Sequence, residues 1–470
     1  MLKPEIFKAY DIRGIVAKDF DEVGFYRIGQ AFGAVIAPQG EVAVGRDVRL
    51  HSQRLQESLI KGLQDAGVSV VDIGEVSTDM FYFAVGYFRL AGGLMVTASH
   101  NPKEYNGIKL VREGVVPISG DDFLPKIRDW ALSSKKLKIS YKGSLRKLNV
   151  WQDYASFHLK FVNLSTLQMF FGEGKPILLE KPYLRKKHFR LTLNPNFGLM
   201  GKIAFRVFEA GRLNFEIAPL NFWPDGSFPK GRPDPFVPEN RPEFLETVKE
   251  SSSDLGVAWD ADGDRIFFAR GDAVFVEPYY TNTLFIKQVL KKHPAEKIIY
   301  DPRYIWALLD AIKVAGGQPI LERVGHSFIK ARMRKEQAIF AGESSGHTFF
   351  RDFYYADNGI LPLLLLLEFL AESKESFQSA VSEVMAKYPI SGEINIRLEN
   401  KDLAFQKLKE RFAGKGVFSE FDGLSFECKR DWRFNVRPSN TEPLLRLNVE
   451  AKTSALVQEK TKELLALLKE

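Results

Sequence analysis

Four short segments of this chain bring oxygen- and nitrogen-bearing side chains together at spacings that chemistry can use. The first is Thr97-Ala98-Ser99-His100-Asn101-Pro102, with Asn106-Gly107-Ile108-Lys109 close behind. A serine hydroxyl is a weak nucleophile and a poor phosphate donor unless neighbours position it and neutralise charge, and a histidine and a lysine are at hand. A plain turn closed by Asn101-Pro102 explains the same letters. The second is Asp260-Ala261-Asp262-Gly263-Asp264-Arg265, directly after an apolar run. Three carboxylates at alternate positions repel one another and are best relieved by a cation; Gly263 lets the backbone wrap, and hard oxygen ligands favour magnesium. A solvated acidic turn is the alternative. An EF-hand does not fit, because no glutamate closes a twelve-residue loop and the cluster follows a strand.

The third segment, Gly342-Glu343-Ser344-Ser345-Gly346-His347, also follows an apolar run. A carboxylate among small residues and hydroxyls suits sugar recognition, since it accepts from two neighbouring hydroxyls at once. An N-cap with a tight turn explains it about as well. The fourth, Arg437-Pro438-Ser439-Asn440-Thr441-Glu442-Pro443, offers a guanidinium followed by hydroxyl, amide and backbone donors, a nest for a phosphate dianion or simply a Pro-flanked turn.

These segments need elements to hold them. To about residue 112, β-rich runs alternate with amphipathic stretches such as Leu55, Leu59, Ile60 and Leu63, then Val68 to Ile73. Leu94-Met95-Val96-Thr97-Ala98 reads as a buried strand that delivers Ser99 into a loop at its carboxyl end, where open α/β sheets place ligands. A boundary is expected near 148, and a second unit runs to about 271, closing with Leu255 to Trp259, the acidic loop and the returning Ile266 to Ala269. The third unit alternates again, through Ile298-Ile299-Tyr300, a helix over Trp306 to Val314, Pro319-Ile320-Leu321 and Ala338 to Ala341. From about 371 the pattern becomes α+β, with a strand at Glu393 to Arg397 and a closing helix from Ala455 to Leu468. The expected fold is thus three related α/β domains with mixed sheets (1–148, 149–271, 272–370) and a C-terminal α+β domain (371–470).

Bulk properties agree. A chain of 470 residues exceeds one core, with 45% hydrophobic and 27% charged residues, as in a multidomain globular enzyme. The first residues lack the apolar run of a signal peptide, and Leu363 to Leu367 is too short to span a bilayer, so it reads as a buried helix. Cys428 is the only cysteine, which rules out an intrachain disulfide and reads as a small buried residue rather than a nucleophile. A cytoplasmic location is expected. The net charge of +7 is scattered apart from Arg185-Lys186-Lys187-His188, so anionic small substrates explain it without nucleic acid or membrane.

Taken together and in this order, the four segments resemble the α-D-phosphohexomutase superfamily, most closely its phosphomannomutase/phosphoglucomutase branch. Tyr10-Asp11-Ile12-Arg13-Gly14, Gly45-Arg46-Asp47-Val48-Arg49, Asp225-Gly226-Ser227-Phe228-Pro229 and Gly325-His326-Ser327 extend the match. The resemblance implies four domains around a central cleft and interconversion of hexose 1- and 6-phosphates through a phosphoserine and a hexose 1,6-bisphosphate, which also serves as activator. It makes Ser99 the phosphoserine, and Asp260, Asp262 and Asp264 with an oxygen on Ser99 the Mg2+ ligands. Glu343 and Ser345 become sugar ligands, and Arg437, Ser439, Asn440 and Thr441 phosphate ligands. It also places Tyr10, Arg13, Arg265, Arg303, His326 and His347 near the reacting groups, with Lys109 as general base and His100 as its rival. A lysine between a cation and an arginine is expected to titrate below its ordinary range.

Thr97 and Ser344 look more like the mannose/glucose branch than the glucosamine branch. Residues 175 to 224 lack the Asp- and Gly-rich opening expected of a second domain, Asp79 stands where a proline is common, and Arg303 where a lysine is often found. The rivals are a phosphoglucosamine mutase, a magnesium sugar phosphatase with an aspartate nucleophile, and an inactive binding relative. Small-molecule sugar phosphates are the expected partners, and a monomer or weak oligomer the expected state.

Overall fold

A computed structural model describes all residues except 121, 138–140, 181–185, 398–400, 439–443 and 470. They form two compact units, Met1–Phe275 with His347–Lys374, and Val276–Gly346 with Glu375–Glu470.

The first unit holds two mixed sheets. One contains β1 (Ile12–Ile15), β2 (Val42–Arg46), β3 (Val70–Glu75), β4 (Gly92–Val96), β5 (Tyr105–Arg112), β6 (Val116–Pro117) and β7 (Leu145–Lys147). Its spatial order is β1, β5, β4, β2, β3, β7, with β6 against β5. From β4 to β7 the pairs are parallel, whereas β5 runs antiparallel to both β4 and β1. Strands buried on both faces read as unbroken apolar runs, as in β4, whose five residues are all buried. Helices α1 (Glu22–Ile36), α2 (Ser52–Asp65) and α3 (Thr78–Tyr87) connect them, α1 capped by Asp21 and α3 by Ser77. Phe25, Ile28, Phe32, Leu55, Leu59 and Leu63 fill the core beneath β2 and β4.

The other sheet orders β12 (Ile266–Arg270), β11 (Leu255–Trp259), β9 (Arg190–Asn194), β10 (Glu216–Pro219) and β8 (Ile177–Leu178). Among these five strands only β11 and β12 are antiparallel, forming a hairpin whose tip is the acidic segment. The opening that the sequence reading missed is β9, which leads through Asn194-Pro195-Asn196-Phe197-Gly198 into the helix Met200–Ala210. The leucine run lies in the helix Leu361–Ser373, with Leu363 to Leu367 buried as expected. Among the described residues no helix is long and apolar enough to cross a membrane.

In the second unit Lys297–Tyr300 pairs in parallel with Gln318–Leu321 and Phe340–Gly342. A five-stranded antiparallel sheet follows, ordered Ile394–Arg397, Leu444–Ala451, Trp432–Pro438, Leu424–Cys428 and Val417–Ser419. With the helices Lys401–Phe412 and Ser454–Lys469 it makes the expected α+β unit, its core built on Phe426, Phe434, Leu447 and Leu464. Cys428 ends a strand there and is half-buried rather than buried, because its side chain packs only against the margin of that core.

Candidate active site

Parallel strands aim their carboxyl ends the same way, so the loops that follow them collect on one edge of a sheet. In the first unit β4 delivers Ser99 and β11 delivers Asp260 by this rule, and the two meet: Ser99 Oγ lies 3.0 Å from Asp260 Oδ2. Ser99 is 3% exposed and holds φ +49°, a left-handed backbone that few non-glycine residues adopt. Its amide donates to Thr97 Oγ1 at 2.9 Å, and its hydroxyl lies 2.9 Å from His100 Nδ1. Burial first, and then the charges of Arg265 and Arg13, hold His100 well below the ordinary histidine range. The ring is therefore neutral.

One oxygen from each of Asp260, Asp262 and Asp264 falls within 4.8 Å of the others, all three residues buried. Gly263 makes the crowding possible at φ +76°, where a side chain would also strike Met200 at 2.4 Å. Burial and the charges of Asp264 and Asp262 push the Asp260 carboxyl well above its usual range. The Oδ1 atoms of Asp262 and Asp264 are buried without a hydrogen bond. Buried carboxylate oxygens without a hydrogen bond are what a hard divalent cation satisfies, so the donor set fits Mg2+.

Lys109 reaches the cluster from β5, its Nζ 2.8 Å from Asp262 Oδ2, bonded to Asp264 Oδ2, and 3.3 Å from Thr78 Oγ1. Burial alone would lower its pKa, but Asp262 and Asp264 outweigh it and hold the ammonium well above the ordinary lysine range. Its nearest charges are these two anions, which act against the lowering that a neighbouring cation would cause. Arg265 donates its amide to Asp260 Oδ1 at 3.2 Å and points Nε at His347 Nε2, 3.4 Å away. His347 in turn lies 3.5 Å from Asp264 Oδ1. Arg13 on β1 holds Asn101 Oδ1 at 2.7 Å and Asp11 at 2.5 Å, while Tyr10 is half-buried just before that strand.

In the second unit Glu343 accepts from the Gly325 amide at 3.0 Å and from Ser345 Oγ at 3.4 Å, which ties the sugar-loop carboxylate to the start of the helix His326–Glu336. Arg303 is spent internally in a buried two-point pair with Asp301, at 3.0 and 2.8 Å. Asp301 also accepts from the Ser344 amide at 2.9 Å, so Arg303 shapes the Glu343 loop through Asp301. Arg437 sits buried near the end of its strand, and Glu393 lies between it, Arg303 and Arg446 at 3.9, 3.6 and 3.5 Å. Ser439, Asn440 and Thr441 lie outside the described residues.

The sequence reading missed Thr78, which donates to Asp262 Oδ2 at 2.7 Å, and Asp234, which faces Arg232 at 3.1 Å and Arg265 at 3.8 Å. It also missed Asp357, grouped with Asp264 and His347. Thr78 carried the one usable signal, a hydroxyl at the N-terminus of a helix.

Four family models, together spanning most of the chain, match it in order. They are phosphoglucomutase/phosphomannomutase alpha/beta/alpha domain I over residues 4–136, domain II over 175–273, domain III over 277–388, and the C-terminal domain over 393–467. The chain belongs to the phosphoglucomutase/phosphomannomutase family. An Escherichia coli phosphomannomutase is 40% identical over 98% of this chain and 99% of the relative. A Xanthomonas campestris protein named for phosphohexose mutases is also 40% identical, over 98% and 99%. A crystal structure of a Burkholderia thailandensis phosphoglucomutase/phosphomannomutase family protein superposes with a TM-score of 0.84 at 30% identity, covering 100% of this chain and 98% of that one. The resemblance drawn from eight motifs is borne out, and with it the reaction class, an intramolecular phosphotransferase.

Proposed function

We propose that this phosphohexomutase carries its phosphoryl group on Ser99 and acts on mannose and glucose phosphates, with Mg2+ at Asp260, Asp262 and Asp264. The observation that carries this reading is the contact of Ser99 Oγ with the acidic cluster, 3.0 Å from Asp260 Oδ2, beside carboxylate oxygens that lack a hydrogen bond. Mg2+ held there would neutralise charge on the transferring phosphoryl group, which is where phosphoryl-transfer catalysis gains most.

The remaining roles fall to the chain itself. Phosphoserine donates to a free hydroxyl of the bound hexose phosphate: the bond from phosphorus to Ser99 Oγ breaks, the new bond to the sugar oxygen forms, and the hydroxyl proton leaves to a base. His100, 2.9 Å from Ser99 Oγ, and Lys109, paired with Asp262 and Asp264, are the two bases at the serine loop. Lys109 serves as base only where Asp262 and Asp264 are otherwise engaged; in the geometry described it is a cation that offsets their charge. Arg265, Arg13 and His347 add donors near the reacting phosphate. Glu343 and Ser345 bind sugar hydroxyls, with His326 beside them, and Arg437 with Ser439, Asn440 and Thr441 anchors the far phosphate. The resulting hexose 1,6-bisphosphate turns and returns its other phosphate to Ser99, so added bisphosphate is the activator. Thr97, Ser344 and the phosphomannomutase relatives favour mannose and glucose over glucosamine. The location is cytoplasmic, the state monomeric or weakly oligomeric, and neither nucleic acid nor membrane is a partner.

Intact-mass measurement of purified protein tests the reading: a phosphorylated fraction mapping to Ser99 is expected, along with isomerisation of mannose or glucose 1-phosphate that needs bisphosphate and Mg2+. Full activity of Ser99→Ala, or fast net release of inorganic phosphate, overturns it. A panel with glucosamine phosphates settles the sugar.

A further inference from the structure

Two motifs remain that the proposed chemistry does not use, Gly45-Arg46-Asp47-Val48-Arg49 running off the end of β2 and Asp225-Gly226-Ser227-Phe228-Pro229 after β10, and they meet. Arg49 is fully buried, and its guanidinium spends every donor it has. Nη2 bonds the carbonyls of Ser99 and Asn101 at 2.7 and 2.6 Å, Nη1 those of Pro102 and Tyr105 at 2.8 and 3.1 Å, and Nε reaches Asp47 Oδ2 at 3.2 Å. Asp47 is itself fixed by Ser52 Oγ at 2.5 Å and by the Arg49 amide at 3.0 Å. A guanidinium has five N–H donors in a rigid fork, and all five are used to fold the serine loop around one point.

The second motif covers that point. The Phe228 ring lies 4.9 Å from the guanidinium carbon and is 3% exposed. Gly226 bridges to Arg49 through the backbone, and a Cβ there would stand 2.0 Å from the Val48 carbonyl, so only glycine permits the approach. The same motif is tied to the metal loop. The Asp225 amide donates to the Phe197 carbonyl at 2.9 Å, and neighbouring Asn196 donates its side-chain amide to the Trp259 carbonyl at 2.7 Å, one residue before Asp260.

We propose that Arg49 and Phe228 are positioning residues that hold the Ser99 loop in register with the Asp260 loop. They touch neither substrate nor the transferring group; they fix the Ser99 backbone, left-handed at φ +49°, so that Oγ faces the acidic cluster. The proposal rests on the mutase reading. Misplacing a reacting atom by about 1 Å costs about 100-fold in rate, and a lysine cannot span four carbonyls.

The test compares wild type with Arg49→Lys, Arg49→Ala and Phe228→Leu in the full chain, following kcat, KM and the rate at which glucose 1,6-bisphosphate phosphorylates Ser99. Expected are a fall of about 100-fold in kcat for Arg49→Lys with KM within about 3-fold, a matching fall in the phosphorylation rate, and partial rescue of Arg49→Ala by millimolar guanidinium ion. Phe228→Leu keeps an apolar side chain but removes the ring, and is expected to lose about 10-fold in kcat alone. Values of kcat within about 2-fold of wild type for Arg49→Lys and Phe228→Leu, or losses confined to KM, overturn the assignment. So does activity lost only in step with cooperative unfolding and not restored by guanidinium. Wild type that neither carries phosphate on Ser99 nor isomerises a hexose phosphate would instead overturn the underlying function.

Discussion

His158 Nε2 lies 2.8 Å from Asn358 Nδ2, while its Nδ1 lies 2.8 Å from the Tyr154 carbonyl one helical turn back. The carbonyl can only accept, so the proton sits on Nδ1 and Nε2 accepts from the amide. Tyr154 in turn donates its hydroxyl to Asp79 Oδ2 at 2.6 Å, which links the helix Trp151–Leu159 to α3 and to the backbone of Gly359.

Acid should weaken the protein through His158. Burial pushes its pKa from 6.5 down to about 3, so below pH 6.5 the unfolded chain takes a proton that the folded chain refuses. Stability falls as pH drops through that window, by about 2 kcal/mol at pH 5. Urea unfolding at pH 7.5 and 5 should show His158→Gln losing about 2 kcal/mol less than wild type over the interval. Equal losses would count against the buried neutral imidazole.

Asp79 works in the opposite sense. Burial outweighs its hydrogen bonds from Ser77, Tyr154, Gly359 and Met80, raising the carboxyl from 3.8 to about 6. The folded state therefore holds a proton between those values that the unfolded state has lost, and stability rises as pH falls through 6. In the same urea series Asp79→Asn should lose about 1.4 kcal/mol more than wild type between pH 7.5 and 5. A smaller loss would show that the hydrogen bonds win over burial.

Asp260→Asn should separate stability from function. Removing one of three buried carboxylates relieves repulsion, so the chelated variant should melt above chelated wild type. Magnesium should then raise the melting temperature of wild type and leave the variant unmoved, with turnover lost. A variant that melts lower under chelation argues that the cluster is not strained.

Lys109→Met should do the reverse. It leaves Asp262 and Asp264 buried without their ammonium partner, a loss of about 3 to 5 kcal/mol in metal-free protein. Saturating Mg2+ should recover much of it, because a divalent ion supplies the missing positive charge. Denaturant curves with and without Mg2+ that show the same loss would refute this compensation.

What the sequence disclosed follows from contiguity. Ser99 and the three aspartates sit in unbroken motifs directly after apolar strands, so their types and spacing carried the message. Arg49 was noted only as part of a motif; its task was hidden, because its partners are main-chain carbonyls that leave no mark in residue types. Thr78 and Asp357 join the cluster from positions far away in the chain, which only the fold brings close. The ion pairs of Lys109 were not legible either: β5 pairs antiparallel with β4, setting Lys109 opposite Met95, and its amine meets Asp262 and Asp264 from the other sheet. The second domain hid its start because Asn194-Pro195-Asn196-Phe197-Gly198 uses asparagine and proline where aspartate and glycine were sought.

The positive φ of Ser99 constrains which residues can stand there over evolutionary time. A branched Cβ is strongly disfavoured in left-handed backbone, so threonine, the other aliphatic hydroxyl and a single mutational step from some serine codons, meets a steric barrier at this position. Descendants of this gene that lose the hydroxyl can drift readily to glycine, asparagine or aspartate, which tolerate the conformation. Those that keep it have no neighbouring hydroxyl to move to.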